Sequence, residues 1–256
     1  MKRPLLIVGD VQGDVERLEE ALEPFSEEEV DTVFLGDFFQ GGRLGRGGGA
    51  AAARLVRSRA NSRAVLGNHD LFLLAVLERR RGVDPPEPWK ARAPAELEAL
   101  WLHRRGDWAD LAAVDHDPAL EQWLRHLPFL ILLQDGTLVQ HTDDDHYATL
   151  GHSVEEVNEQ ARHWLEAPGG VFSAVRALFG RRAFVERRRL DVYLAHFGAR
   201  RLVHGHTPHW ENAPSVGHDG LIWGFDGRFS RYWSREAGES SGPIGATVAL
   251  LPALDR

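Results

Sequence analysis

Pro4-Leu5-Leu6-Ile7-Val8-Gly9-Asp10 is the stretch that decides the fold. Its apolar run is too short for a helix and stops at a Gly-Asp pair, so it reads as a strand buried on both faces. Outward from it the pattern repeats. Val15 to Leu22 has helical spacing, Thr32 to Leu35 is a second apolar run, Ala50 to Arg59 is helical again, and Ala64 to Leu66 is a third short run. Strands alternating with helices predict βαβ units. Each run ends alike, at Gly9-Asp10, Gly36-Asp37 and Gly67-Asn68. Ligands in such sheets sit beyond the carboxyl ends of the strands, so three oxygen-bearing side chains are expected on one rim.

Further along, residues from about 79 to 127 are helical in pattern but broken by Pro85-Pro86, Pro88 and Pro94. They carry Trp89, Trp101, Trp108 and Trp123. This segment reads as a helical insertion covering one side of the site, its tryptophans more often core than stacking platform. Strands resume at Phe129 to Leu133 and Thr137 to Gln140, joined by an Asp135-Gly136 turn. Ser153-Val154-Glu155-Glu156 has the form of a helix cap. Arg201 to Val203, Leu221 to Phe225 and Ala246 to Leu251 read as the last strands. Residues 1–256 are read as a single domain. The Gly-rich patch Gly41 to Ala53 lacks the GxxxxGK[ST] spacing of a nucleotide loop and reads as a loop running into a helix.

The balance of 38 acidic against 30 basic residues argues against a nucleic-acid polymer or an anionic membrane as partner. With no cysteine, a disulfide scaffold, a thiolate nucleophile and a Cys-bound zinc are excluded. The apolar run after Met1-Lys2-Arg3 is shorter than the roughly 7–15 residues of a signal peptide, and a cytoplasmic enzyme is expected.

Five short motifs follow in order: Gly9-Asp10-Val11-Gln12-Gly13, Gly36-Asp37, Gly67-Asn68-His69-Asp70, Gln140-His141-Thr142 and Gly205-His206-Thr207-Pro208. Singly each is a common turn or packed residue. Together they set hard oxygen donors and imidazoles at strand ends, a set suited to two divalent ions. The ordered series resembles the calcineurin-like metallophosphoesterases, in particular their phosphoprotein-phosphatase branch, from Leu5 to about Pro208. Gly67 to Val76 and Trp123 to Pro128 look like the symmetrical dinucleoside-tetraphosphatases. Gly205 to Pro208 is similar to bacterial serine/threonine phosphatases.

The resemblance implies an α+β fold, a four-layer αββα sandwich of two mixed sheets. It implies two metal positions that share Asp37, one with Asp10 and Gln12, the other with Asn68, His141 and His206. A hydroxide activated between the ions would attack phosphorus. His69 would protonate the departing alkoxide, oriented and charge-stabilised by Asp70. Manganese is the first choice of metal, with iron, magnesium and zinc as alternatives. The chain departs from the family pattern at three points. Gln12 stands where a His ligand is usual, Gln40 where an acidic partner of the catalytic His is usual, and Gly42 where an Arg clamps phosphate. Arg43, one residue on, is the candidate substitute, and Arg181-Arg182 or Arg187 to Arg189 could lend another clamp. Asp143 to Asp145 reads as a solvated acidic loop, and His209 as a non-ligand. The expected activity is a serine/threonine-phosphatase-like phosphomonoesterase acting on a phosphoprotein or nucleotide. The rivals are symmetrical dinucleoside-tetraphosphate hydrolysis and a degenerate member that binds a phosphorylated ligand without turnover.

Overall fold

A computed structural model describes residues 3–40, 47–86, 94–178, 180–236 and 238–254. Gly42, Arg43 and Trp89 lie outside these. The first third alternates strands and helices as expected, although β3 ends at Ala64, where the third apolar run begins: β1 (Leu5–Val8), α1 (Val15–Leu22), β2 (Asp31–Phe34), α2 (Gly48–Ser58), β3 (Ser62–Ala64) and α3 (Asn68–Arg80). Three shorter helices follow, α4 (Pro94–His103), α5 (Trp108–Asp115) and α6 (Pro118–Arg125). Then come β4 (Leu130–Leu132), β5 (Thr137–Gln140), α7 (Val154–Glu166), α8 (Val171–Ala177), α9 (Arg187–His196) and β6 (Arg201–His204). The chain closes with β7 (Ser215–Gly217), β8 (Ile222–Gly224), α10 (Arg231–Glu236) and β9 (Val248–Leu251).

The strands form two mixed sheets, ordered β3-β2-β1-β9 and β4-β5-β6-β8-β7. β1, β2 and β3 are parallel, while β9 runs antiparallel to β1, with Leu5 opposite Leu251. In the second sheet β5, β6 and β8 are parallel, and β4 and β7 are antiparallel edges. The period of two along each strand sorts the side chains. Ile7, Val33, Leu35, Val139 and Val203 meet between the sheets. Their neighbours Leu6, Phe34, Leu138 and Leu202 join the core shared with the helices. This is the four-layer αββα sandwich that the resemblance implies.

α3 explains why its sequence is apolar on every side. Leu71 to Leu77 is buried throughout, because α3 packs against α4 and α5 on one flank and α8 on another. The helical segment after it lies in the same layer, with α5 and α6 against α2. Asp107 and Asp117 cap α5 and α6 through the amides of Ala109 and Leu120. Arg125 joins α6 to α3 through Glu78 at 2.9 Å and donates to the Leu165 carbonyl of α7 at 2.8 Å. Trp101 is 3% exposed and meets Trp108 edge-on at 5.0 Å, so Trp101 is core. Among the described residues, this segment reaches the rim through its α4–α5 turn, where the Gln40 amide donates to the Arg104 carbonyl.

The Ser153 cap forms as read, its hydroxyl accepting from the Glu156 amide at 3.2 Å. β7 has no counterpart in the sequence reading. It is three residues long and half-exposed, so no apolar run marks it. No helix among the described residues is long and apolar enough to cross a membrane.

Candidate metal centre

The ends of β1, β2, β3, β5 and β6 deliver their side chains to one buried point. Left-handed backbone makes this convergence. Gln12 (φ 48°), Asp37 (φ 52°), Gln40 (φ 92°) and His206 (φ 64°) all adopt it, a conformation costing about 1–3 kcal/mol for a residue with a Cβ. Two hydrogen bonds from the first loop to the second hold the strain. The Gln12 and Gly13 amides donate to the carbonyls of Asp37 and Phe38, each at 2.9 Å. Gly36 needs its glycine twice over, for a φ of 91° and because a Cβ would come within 2.5 Å of the Gly67 nitrogen.

Asp37, His141 and His206 place ligand atoms within 4.8 Å of one another, all three buried. His141 donates through Nδ1 to the Leu35 carbonyl at 2.7 Å, which turns Nε2 towards Asp37 Oδ1 at 3.4 Å. A ring fixed this way presents its second nitrogen as a ligand. Asn68 Oδ1 lies 2.8 Å from His141 Nε2 and 2.7 Å from His206 Nδ1. On the far side of His206, Arg181 donates through Nε to Nε2 at 3.0 Å. Asp10, 1% exposed, accepts the His206 amide at 2.9 Å. Gln12 is buried as well, and its Oε1 has no hydrogen-bond partner among the described residues. Burying an amide oxygen without a partner costs about 1–3 kcal/mol, which a cation would remove.

Electrostatics point the same way. Burial, then the charges of Asp226 and Asp37, push Asp10 well above the usual carboxylate range. Burial opposes the charging of Asp37, but the imidazoles of His141 and His69 outweigh it and hold Asp37 below that range. Burial disfavours the charged form of His141, yet Asp37 and Asp10 lift it to about 10. His206 is driven well below its ordinary value, by burial first and then by His141. Crowded buried carboxyls beside imidazoles of opposite tendency are what a bound cation would reconcile, so the residues fit the metals that the sequence implies.

His69 and Asp70 differ in what they do. His69 Nε2 lies 4.0 Å from Asp37 Oδ2, and its amide donates to Asp37 Oδ1 at 2.9 Å. Burial pulls its pKa down to about 4, against the Asp37 charge. The expectation that Asp70 directly orients the His69 ring is corrected. The Asp70 carboxylate accepts instead from the amides of Asp37 (3.0 Å), Phe38 (2.9 Å), Phe39 (3.5 Å) and Gly67 (2.9 Å). It therefore fastens the β2 loop to the start of α3 and acts on His69 only through that frame. Burial, then the Asp37 charge, raise Asp70 to about 7. Gln40 turns away towards Arg104 and leaves its Oε1 buried without a partner among the described residues.

The acidic loop is also corrected. Asp143 is buried and accepts from the Thr207 hydroxyl, while Asp145 pairs with Arg189 at 2.5 Å. Arg187 pairs with Asp191 on its own helix, so the Arg187 to Arg189 run faces solvent, leaving Arg181 at the rim. Asp226, buried beside Asp10, escaped the sequence reading because Phe225-Asp226-Gly227 looks like any strand-end turn.

A buried cluster of carboxylate, amide and imidazole side chains thus stands at the rim of an αββα sandwich. The chain belongs to the calcineurin-like phosphoesterase family, whose profile matches residues 3–210. It is a phosphoric ester hydrolase of that family. No curated protein matches it significantly. Among solved structures it is similar to a cold-active protein-tyrosine phosphatase of a psychrophilic Shewanella species. That likeness has 17% identity and a TM-score of 0.61, and covers 98% of this chain and 81% of the other. It is similar also to a putative diadenosine tetraphosphatase, with 17% identity and a TM-score of 0.52, covering 100% of this chain and 96% of that one. At such identities the likeness is one of fold.

Proposed function

We propose that this chain is a serine/threonine-phosphatase-like phosphomonoesterase, working in the cytoplasm with two divalent ions, manganese foremost. The observation that carries the reading is the convergence of Asp37, His141 and His206 within 4.8 Å, with His69 at the edge of the same carboxylate. Asp37, Asn68, His141 and His206 would hold one ion; Asp10, Gln12 and the shared Asp37 would hold the other. Ions bound there supply Lewis acidity for the phosphoryl oxygens and a nucleophile at neutral pH. The protein's own groups do the rest. Asp70 keeps the β2 and α3 loops in register, His69 would carry the proton for the departing alkoxide, and Arg181, beside His206, is a candidate to meet a phosphate oxygen.

Dinucleoside-tetraphosphate hydrolysis is the second reading, favoured by Gly67 to Val76. The other stretch behind it, Trp123 to Pro128, is accounted for by packing. Arg125 pairs with Glu78, His126 Nδ1 meets the Gln122 carbonyl at 2.6 Å, and the Pro128 carbonyl accepts from Leu66. An activity panel of p-nitrophenyl phosphate, a phosphoserine peptide and diadenosine tetraphosphate, each with Mn²⁺, Mg²⁺ and Zn²⁺, tests the proposal. Manganese-dependent turnover of the monoesters is expected. Preferred cleavage of the tetraphosphate would transfer the assignment to the second reading. Binding of the phosphopeptide without turnover of any substrate would mark a degenerate member.

A further inference from the structure

Asp226 has no task in the reading above, yet the backbone places it with care. β8 runs parallel to β6, so its carboxyl end opens on the same rim as His206. The Phe225 amide donates to the His204 carbonyl at 2.9 Å, and the Asp226 carbonyl accepts from His209 at 3.0 Å. On the other side, the Phe225 carbonyl abuts Gly9 so closely that a Cβ there would lie 2.0 Å away. Asp226 is thus fixed between the loop of Asp10 and the loop of His206. Its side chain is 2% exposed. Oδ1 receives only a long 3.4 Å contact from the Arg228 amide, and Oδ2 has no partner among the described residues. Gln12 Oε1, at the same rim, is equally unanswered. Unpartnered buried oxygens of Asp226 and Gln12, at a rim that already carries Asp10 and Asp37, form a set of donors that a cation would satisfy.

We infer that Asp226 supplies a further carboxylate to the metal position formed by Asp10, Gln12 and Asp37. The inference rests on the metal centre proposed above. With Asp226 that position is all oxygen, three carboxylates and one amide, which suits Mn²⁺ or Mg²⁺ and disfavours Zn²⁺. It also accounts for how the chain does without an imidazole at position 12. The donor lost from the β1 loop is replaced by one from the end of β8.

Calorimetric titration of Mn²⁺ into the chelator-treated full chain tests this, on the wild type and on Asp226→Asn. The variant should lose about tenfold or more in affinity at the weaker site and stay within about twofold at the stronger. Without metal it should melt at or above the wild type, since a buried charge is gone, and Mn²⁺ should then raise its Tm less. Affinities within about twofold at both sites would overturn the inference, as would a lower metal-free Tm with unchanged affinities, the mark of a merely structural residue. Asp37→Asn separates this from the underlying reading: if that variant still binds both ions like the wild type, the metal centre itself is misassigned.

Discussion

The rim and the helical layer beside it solve opposite problems with the same residue types. At the rim, Gln12, Asp37 and His206 sit in left-handed backbone, and oxygens of Gln12 and Asp226 are buried unanswered. In the α3–α6 layer, Arg81 pairs with both Asp115 and Glu121, and Arg125 with both Glu78 and Glu121. Asp107 and Asp117 complete helix ends there. Buried oxygens without a partner among the described residues occur in both places, Gln12 Oε1, Gln40 Oε1 and Asp226 Oδ2 at the rim and Asp110 Oδ2 in α5, so the contrast lies in ion pairing and backbone strain. Local strain of this kind persists only because its surroundings over-determine it.

The sharpest way to break the contrast is Asp37→Asn. It should abolish uptake of both ions in calorimetry and reduce kcat/KM beyond the 10²–10³-fold typical of one lost electrostatic group. His69→Ala should keep both ions yet lower kcat roughly 10²–10⁴-fold on a phosphoserine peptide, and less on p-nitrophenyl phosphate, whose leaving group scarcely needs a proton. Equal losses on the two substrates would remove His69 from the acid role. On the scaffold side, Arg125→Ala leaves Glu78 buried and unpaired. A loss on the order of 3 kcal/mol should follow in denaturant unfolding, with kcat/KM within about twofold where the variant is folded. Gln12→His should tighten Mn²⁺ at the weaker position by about tenfold and lower the Mn²⁺ needed for activity; an unchanged requirement would detach Gln12 from that position.

The smallest effect concerns pH. Burial raises Asp110, in α5, to about 7. Its folded pKa lies above the unfolded value of about 3.9, so the folded state holds the extra proton. Stability from this group is full below about pH 4 and is lost as pH rises towards 7. Asp110→Asn keeps the acceptor for the Ala50 amide, now 2.8 Å from Oδ1, and should flatten that slope. At pH 8 it should melt about 3 °C or more above the wild type; an identical pH profile would show that Asp110 ionises freely.

Three of the five strand ends that build the site could be read directly, because a continuous apolar run stopping at Gly-Asp or Gly-Asn is a local signal. His141 and His206 stand out as candidate ligands only as members of an ordered set. The work of Asp70 was misread, since its partners are backbone amides up to 33 residues away in sequence and no motif records them. Asp226 was missed for a related reason. Its meaning lies in which loops it stands between, and sheet order supplies that. The helical character of residues from about 79 to 127 can be read from their pattern, but the place of α4 to α6 in the helical layer depends on ion pairs such as Arg125–Glu78, across 47 positions. Arg43 falls outside the described residues.

The pairing of β9 with β1 has a consequence for synthesis. Gly9 donates its amide to the Thr247 carbonyl at 2.9 Å, and β1 lies between β2 and β9 in its sheet. As the chain leaves the ribosome, residues 5–64 can lay down their βαβ units early, but the Asp10 loop must wait for residues 246–251 to emerge. Contacts separated by nearly the whole chain are the slowest to form. The Asp10 loop is thus among the last parts of the sheet to be completed, and a chain stopped short of β9 would leave β1 as an open sheet edge.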